Sequence, residues 1–492
     1  MENQENKSKG ITLIALAITV IILLLLAGIS IITLTGDNGL ITSSIKAKFK
    51  SEVKEIQENL QTKIVEDKNE NKYQFGTLSQ KLGIVDEYND KLYIEDGEIV
   101  YIQDKVTENE IKWLEEMQIY AKKGVIPIYT KEQFEKIGTG EEIRIEEAGG
   151  EKFTFNIDSY YVLQNDIDLE RNERNQWNPL CTSFDKRFKG IIDGKNYTIS
   201  GIYINDNEKE NQGLFVYNAG TIKNLKTDGY VSAKNYISGL VVRNESGGKI
   251  INCENRVEVS LKKGNYAGGL VTYNSGEIEN CVNNELLELY SISGGICGVN
   301  TNQGIIKKSY NNHELLVSDF SIGGIVGDNG GIVEKCYNAG NLFKTGTHSR
   351  YGKGGIVASN SGTVKNCYNI ADIDVDGWNI GGVVGQNNSS GSIENSYNIG
   401  SISKKISTGG IVGLNDGIIK NCYTIEDIIE VVGKNNGTLE NSSLLNEKQM
   451  KLEENIILEG GEEVNFLYIL NNGTNVWKED ITGINNGFPV LD

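Results

Sequence analysis

Proline and histidine are nearly missing from this 492-residue chain, with 3 and 2 occurrences against 57 glycines. Its many turns must be made with Gly and Asn, which suits closely stacked strands. With only His313 and His348 present, imidazole is too scarce for most general acid–base schemes. Cysteine is odd in number, at 7, and no C-x-x-C pair occurs. A complete disulfide framework within the chain is excluded, and no zinc or dithiol spacing is present. A basic stripe is missing as well. The net charge of −19 argues against nucleic acid as a partner, since such binding rests on Lys and Arg displacing counterions.

What the chain does have begins with residues 11–34, 24 positions without a charge. That length spans a hydrocarbon core of about 30 Å at about 1.5 Å per residue. It exceeds the roughly 7–15 apolar residues of a secretory signal. Lys7 and Lys9 precede it, while Lys46, Lys48 and Lys50 follow, so charge leaves its orientation open. The stretch "KGITLIAL" (residues 9–16) resembles the processing site of type IV prepilins. The resemblance implies that Gly10 ends a short leader and Ile11 begins the mature chain. It also implies a single-pass anchor in the cell membrane, an extracellular ectodomain, and pilin-like subunits as partners. The family usually carries Glu at the fifth mature position, where this chain has Ala15.

Beyond the apolar run, Ile45, Phe49, Val53, Ile56 and Leu60 fall at helical spacing over residues 43–64. "DKLYIEDGEIVYI" (residues 90–102) alternates around Asp96-Gly97, a hairpin signal. A helix is expected over residues 108–122, with Ile111, Leu114 and Tyr120 available for burial. The predicted organisation is a leader (1–10), a transmembrane pilin-like helix (11–65), a small α+β domain (66–128), a β-rich lead-in (129–212), a repeat region (213–445) and a C-terminal cap (446–492).

The repeats dominate. "GGLVTYNSGEIENCVN", "GGIVGDNGGIVEKCYN" and "GGIVGLNDGIIKNCYTI" are versions of one sentence. An Asn recurs in every copy, at Asn218, Asn244, Asn274, Asn300, Asn329, Asn360, Asn387, Asn415 and Asn435. A small-residue position reads Leu225, Cys253, Cys281, Ser309, Cys336, Cys367, Ser396, Cys422 and Ser442, with Ile, Val or Leu three residues earlier each time. The period stays near 28 until a last interval of 20. Several short β-like pieces per fixed period predict a mainly β fold, a parallel β-helix whose coils stack at about 4.8 Å. Asn can adopt the left-handed conformation at a corner and bond to the same Asn one coil away. The apolar and small positions differ by three, so a bend must lie between them for both to point inward. The repeat resembles the GLUG motif of bacterial surface proteins and of some IgA-cleaving zinc metallopeptidases. That resemblance covers residues 213–445 and implies a surface protein.

Several stretches tempt a catalytic reading. "HELLV" (residues 313–317) begins like H-E-x-x-H, but Val317 replaces the second His. "DIDVDGW" (residues 372–378) matches the first half of a calcium loop, with Val383 where Glu should close it. Asp372, Asp374 and Asp376 are thus a weak calcium candidate beside a solvated-face reading. Neighbouring Cys residues point the same way, which favours a packing ladder over disulfides or metal ligands. Tyr310, Tyr337, Tyr368, Tyr397 and Tyr423 follow the small position; burial as a core ladder is slightly favoured over an exposed stripe. The expectation is a surface protein, not an enzyme, without cofactor, whose solenoid binds a glycan or a protein. The alternative is a β-helix enzyme acting on glycans.

Overall fold

The computed structural model describes residues 40–67, 74–318, 320–345, 351–403, 406–427, 430–458 and 461–492. The apolar run 11–34, the Gly10–Ile11 bond, Ala15 and His348 lie outside the described residues. Among the described residues, no helix is long and apolar enough to cross a membrane. The chain divides into two compact units, Met1–Val125 with Ile145–Glu151, and Ile126–Arg144 with Lys152–Asp492.

In the first unit, one helix covers Leu40–Asp67. Its residues Phe49, Val53, Ile56 and Leu60 are buried against Leu78, Leu92, Ile94 and Leu114, whereas Ile45 is 54% exposed. The helix supplies one wall of the small domain's core, so the sequence boundary at residue 65 falls inside a single packed unit. The hairpin forms between Leu92–Glu95 and Glu98–Tyr101. Both of its turn residues, Asp96 (φ 55°) and Gly97 (φ 78°), are left-handed, as a type I′ turn requires. The helix expected over 108–122 stops at Glu116. Gln118 then turns left-handed at φ 63°, which shifts the inward register by one. Ile119 is therefore buried, and Tyr120 is 58% exposed.

The second unit is a stack of parallel coils spaced about 28 residues apart. One sheet has nine strands, from Phe215–Asn218 to Val432–Asn435. Another has twelve, from Ile126–Ile128 to Thr438–Glu440. Of its first three strands, Ile126–Ile128 falls just before the expected lead-in, while Tyr160–Leu163 and Ile191–Asp193 lie within it, so coiling starts well before the repeated text at Gly213. The remaining edges pair coil to coil in a third set, such as Tyr337 with Tyr368 and Asn338 with Asn369. Within each coil the inward aliphatic residues are sealed: Ile325, Val326, Val333 and Leu342 have no exposed surface. Each such burial stabilises by about 1.5–3 kcal/mol.

The paired glycines have a steric cause. A Cβ on Gly295 would sit 2.2 Å from the carbonyl oxygen of Gly324 and 2.8 Å from Cγ of Asn311. At Gly382 the same distances, to Gly410 O and Asn398 Cγ, are 2.1 and 2.3 Å. Only a residue without a side chain lets successive coils approach that closely.

Candidate functional site

The repeated residues build the stack. Each of Asn218, Asn244, Asn274, Asn300, Asn329, Asn360, Asn387 and Asn415 donates its side-chain amide to the carboxamide oxygen of the next, at 2.8–2.9 Å. All eight are buried, while Asn435 ends the series exposed. The corner conformation differs from the sequence expectation. None of these nine is left-handed; the left-handed residues are instead Asn224, Asn252, Asn280, Lys308, Lys335, Asn366, Asn395, Asn421 and Asn441. They lie immediately before the small position and supply the bend needed between the apolar and small residues. Extended strand geometry keeps the ladder asparagines aimed inward, where their amides can meet.

A second buried ladder was not singled out in the sequence. Asn255, Asn283, Asn311, Asn338, Asn369 and Asn398 bond in the same way, also at 2.8–2.9 Å. Each stands two residues beyond the small position, and that recurrence was the available signal. The small position is itself a hydrogen-bonding device. The Cys281 backbone N–H donates to Ser309 Oγ at 3.1 Å, and that of Cys422 donates to Ser442 Oγ at 2.9 Å. The seven cysteines are free. Burial pushes the Cys281 and Cys367 thiols well up and the Cys422 thiol to about 12, so all three stay protonated and unreactive.

The tyrosines point outward from the coil. Tyr310, Tyr337, Tyr368 and Tyr397 stack in sequence, with ring centroids 4.6, 5.0 and 5.2 Å apart and planes within 12°. The segment after Leu445 lies over the later rings and also packs on Leu445 of the last coil. Phe466 meets Tyr397 and Tyr423 edge-on, and Trp477 meets Tyr368. The Tyr397 hydroxyl donates to Pro489 O at 2.5 Å and accepts from Asn485 Nδ2 at 2.7 Å. Tyr368, Tyr397 and Tyr423 are thereby buried, whereas Tyr310 and Tyr337 remain half-buried. Over the last coil itself, Leu439 is 39% exposed.

The other tempting stretches resolve differently. Ile373 and Val375 are buried, and Asp372 and Asp374 are exposed. Asp372 accepts from Ser401 Oγ at 2.7 Å, Asp374 accepts from Ser403 Oγ at 2.6 Å, and Asp376 pairs with Lys344. Each carboxylate is bound to its own partner on an adjacent coil, and the structure does not bring the three together. No group of three or more His, Cys, Asp or Glu able to hold a metal gathers among the described residues. His313 lies in a turn, where its carbonyl accepts from Asn311 Nδ2 at 2.8 Å, and Val317 is buried in the following strand. The helix that an H-E-x-x-H site needs is not formed there.

One acidic group had escaped notice because its members occupy different registers. Asp228 and Glu258 lie on paired strands. Burial, reinforced by Glu285, raises both carboxyls above their ordinary range; Glu288 adds to the effect at Glu258. Arg256, on the same strand as Glu258, bonds Glu254 through Nε at 2.6 Å.

Comparison with protein-family models gives no match, and no curated protein matches the sequence. Among solved structures, the chain is similar to a Bacteroides ovatus protein described as a "putative immunoglobulin A1 protease". Identity is 20% and the TM-score 0.39, over 74% of this chain and 91% of that one. A likeness at this level carries nothing about activity.

Proposed function

We propose that the chain is a membrane-anchored cell-surface protein whose β-solenoid binds a ligand, in the manner of GLUG-motif adhesins. One observation carries the reading: an outward tyrosine stack runs along a rigid ladder-bonded rod, with Tyr310 and Tyr337 left partly open. Tyrosine offers a large, stiff, amphipathic surface at low entropic cost, suited to a sugar or protein ligand. The uncharged 11–34 run supplies the anchor, with prepilin-like cleavage after Gly10.

The test has two arms in the native host. Protease-accessible protein on intact cells should begin at Ile11, and Gly10→Val should retain the leader; surface protein beginning at Met1 would sink the processing arm. Purified protein should then be retained on glycans or matrix proteins without releasing products.

A second reading, glycan cleavage, is favoured by Asp228 and Glu258. Raised carboxyls hold their protons to a higher pH than ordinary ones, the direction a general acid needs. Reducing ends released by the wild type, and abolished by Glu258→Gln, would establish it in place of the first.

A further inference from the structure

We infer that a cleft between the last two coils and the C-terminal segment binds an uncharged saccharide. The cleft encloses about 600 Å³, within the usual range for small-molecule sites. Among the described residues eleven line it, and none of these is charged. In a chain of net charge −19 with 23% charged residues, such a lining favours a ligand without charge, since a buried ion there would lack a counter-charge.

The floor and wall are aromatic. Tyr423 is fixed by Phe466, with centroids 5.4 Å apart and planes at 87°. Tyr468, on the covering helix Phe466–Asn471, is 61% exposed. Burial raises the Tyr423 hydroxyl pKa further above its usual value, so that group stays a neutral donor and acceptor. A pyranose ring presents C–H faces to aromatic surfaces and hydroxyls at its rim, and both kinds of partner are in place.

A second, independent feature marks the same spot. At the left-handed corner, adjacent asparagines bond amide to amide: Asn252 to Asn224 at 3.0 Å, Asn280 to Asn252 at 2.7 Å, Asn395 to Asn366 at 3.4 Å and Asn421 to Asn395 at 3.0 Å. The series, interrupted by Lys308 and Lys335, ends at Asn421, where the cleft opens. Asn441 is the next residue in the register, but its carboxamide makes no hydrogen bond among the described residues. In the neighbouring register Ser443 of the last coil pairs with Tyr423 of the coil before it, so the last coil presents a small side chain there in place of a ring. Asn441 and Asn472, both lining the cleft, each offer a paired donor and acceptor, the pattern that neighbouring sugar hydroxyls satisfy.

This inference rests on the proposed surface-binding role and is tested separately from it. Full-length protein in a zwitterionic, sugar-free detergent is titrated with cellotriose, maltotriose, chitotriose and mannotriose, by calorimetry and saturation-transfer NMR. At least one should bind with a dissociation constant below about 1 mM. Tyr468→Ala and Asn441→Ala should each weaken it at least about tenfold with little change in melting, because both side chains are exposed. No binding of any of the four up to about 10 mM, or equal binding by the double variant, overturns the cleft as a saccharide site. Tighter binding of charged sugars or of peptides does the same. Either result leaves the surface assignment standing, whereas protein confined to the cell interior defeats that assignment and leaves the titration result intact.

Discussion

At the scale of single residues, the stack depends on buried amides that bond from coil to coil and to nearby backbone carbonyls. Asn360 accepts from Asn329 at 2.8 Å and donates to Asn387 at 2.9 Å with no exposed surface. Asn360→Leu removes both bonds together with those to Gly362 O and Ser392 O, leaving buried polar groups short of partners, so a loss of about 1–3 kcal/mol is expected in urea unfolding. Asn435→Leu loses two bonds, from Asn415 Nδ2 and from the Gly437 backbone N–H, but at an exposed end where water can replace them, and should cost less than about 1 kcal/mol. Equal effects would mean that burial is not what makes the ladder matter. Gly382→Ala is the sharper case. Its added carbon meets a backbone carbonyl at 2.1 Å that belongs to the next coil and cannot swing aside. A loss of about 3 kcal/mol or more is expected by the same measurement, larger than ordinary overpacking. The importance of this Asn and Gly text was legible in the sequence because it recurs at one period. The conformation of the Asn was not, since inward bonding and left-handed turning both favour the same residue type.

At the scale of elements, the covering segment is held by a carboxylate turn. Asp480 accepts from the backbone N–H groups of Ile484 at 3.1 Å, Asn485 at 2.6 Å and Gly487 at 3.2 Å, and from Thr482 Oγ at 2.9 Å. Although partial burial opposes the charge, these donors hold its pKa below the usual value. A depressed carboxylate stabilises the fold above its unfolded pKa, near 4, and that contribution disappears as pH falls through the folded value. As pH falls below about 4, the turn should loosen and uncover Trp477, seen as a red shift of its fluorescence. Asp480→Asn should weaken the turn at neutral pH and flatten this titration. An unchanged acid transition in the variant would assign it to other carboxylates. Asp228 and Glu258 act with the opposite sign, because raised carboxyls cost stability as pH rises through their folded values. The segment's role as a cover for tyrosines was not legible. Its hydrophobic residues are aperiodic, and the rings they meet lie up to 92 residues away, as with Tyr397 and Pro489.

At the scale of the second unit, each coil touches its neighbours and little else, so damage should stay local. Ending the chain at residue 446 removes Phe466, Trp477 and Phe488 from the tyrosine face. The truncated protein is expected to bind a hydrophobic dye and to lose amide protection around Tyr397, while coils near Asn274 keep theirs. Global loss of protection would show instead that the segment is needed for the whole stack. The solenoid itself was the most legible feature, since period and parallel register carry the same information. Its true start at Ile126 was hidden, because the early coils lack the repeated glycines and asparagines. The nearest-neighbour register has one more consequence, and it concerns inheritance. Val271, Cys297 and Val326 occupy equivalent sites on successive coils, so excising residues 297–325 would join Ile296 to Val326 with every ladder still aligned. An in-frame duplication or loss of one such unit changes the rod's length by about 4.8 Å without rewriting its surface, making reach a trait that recombination can adjust in whole steps.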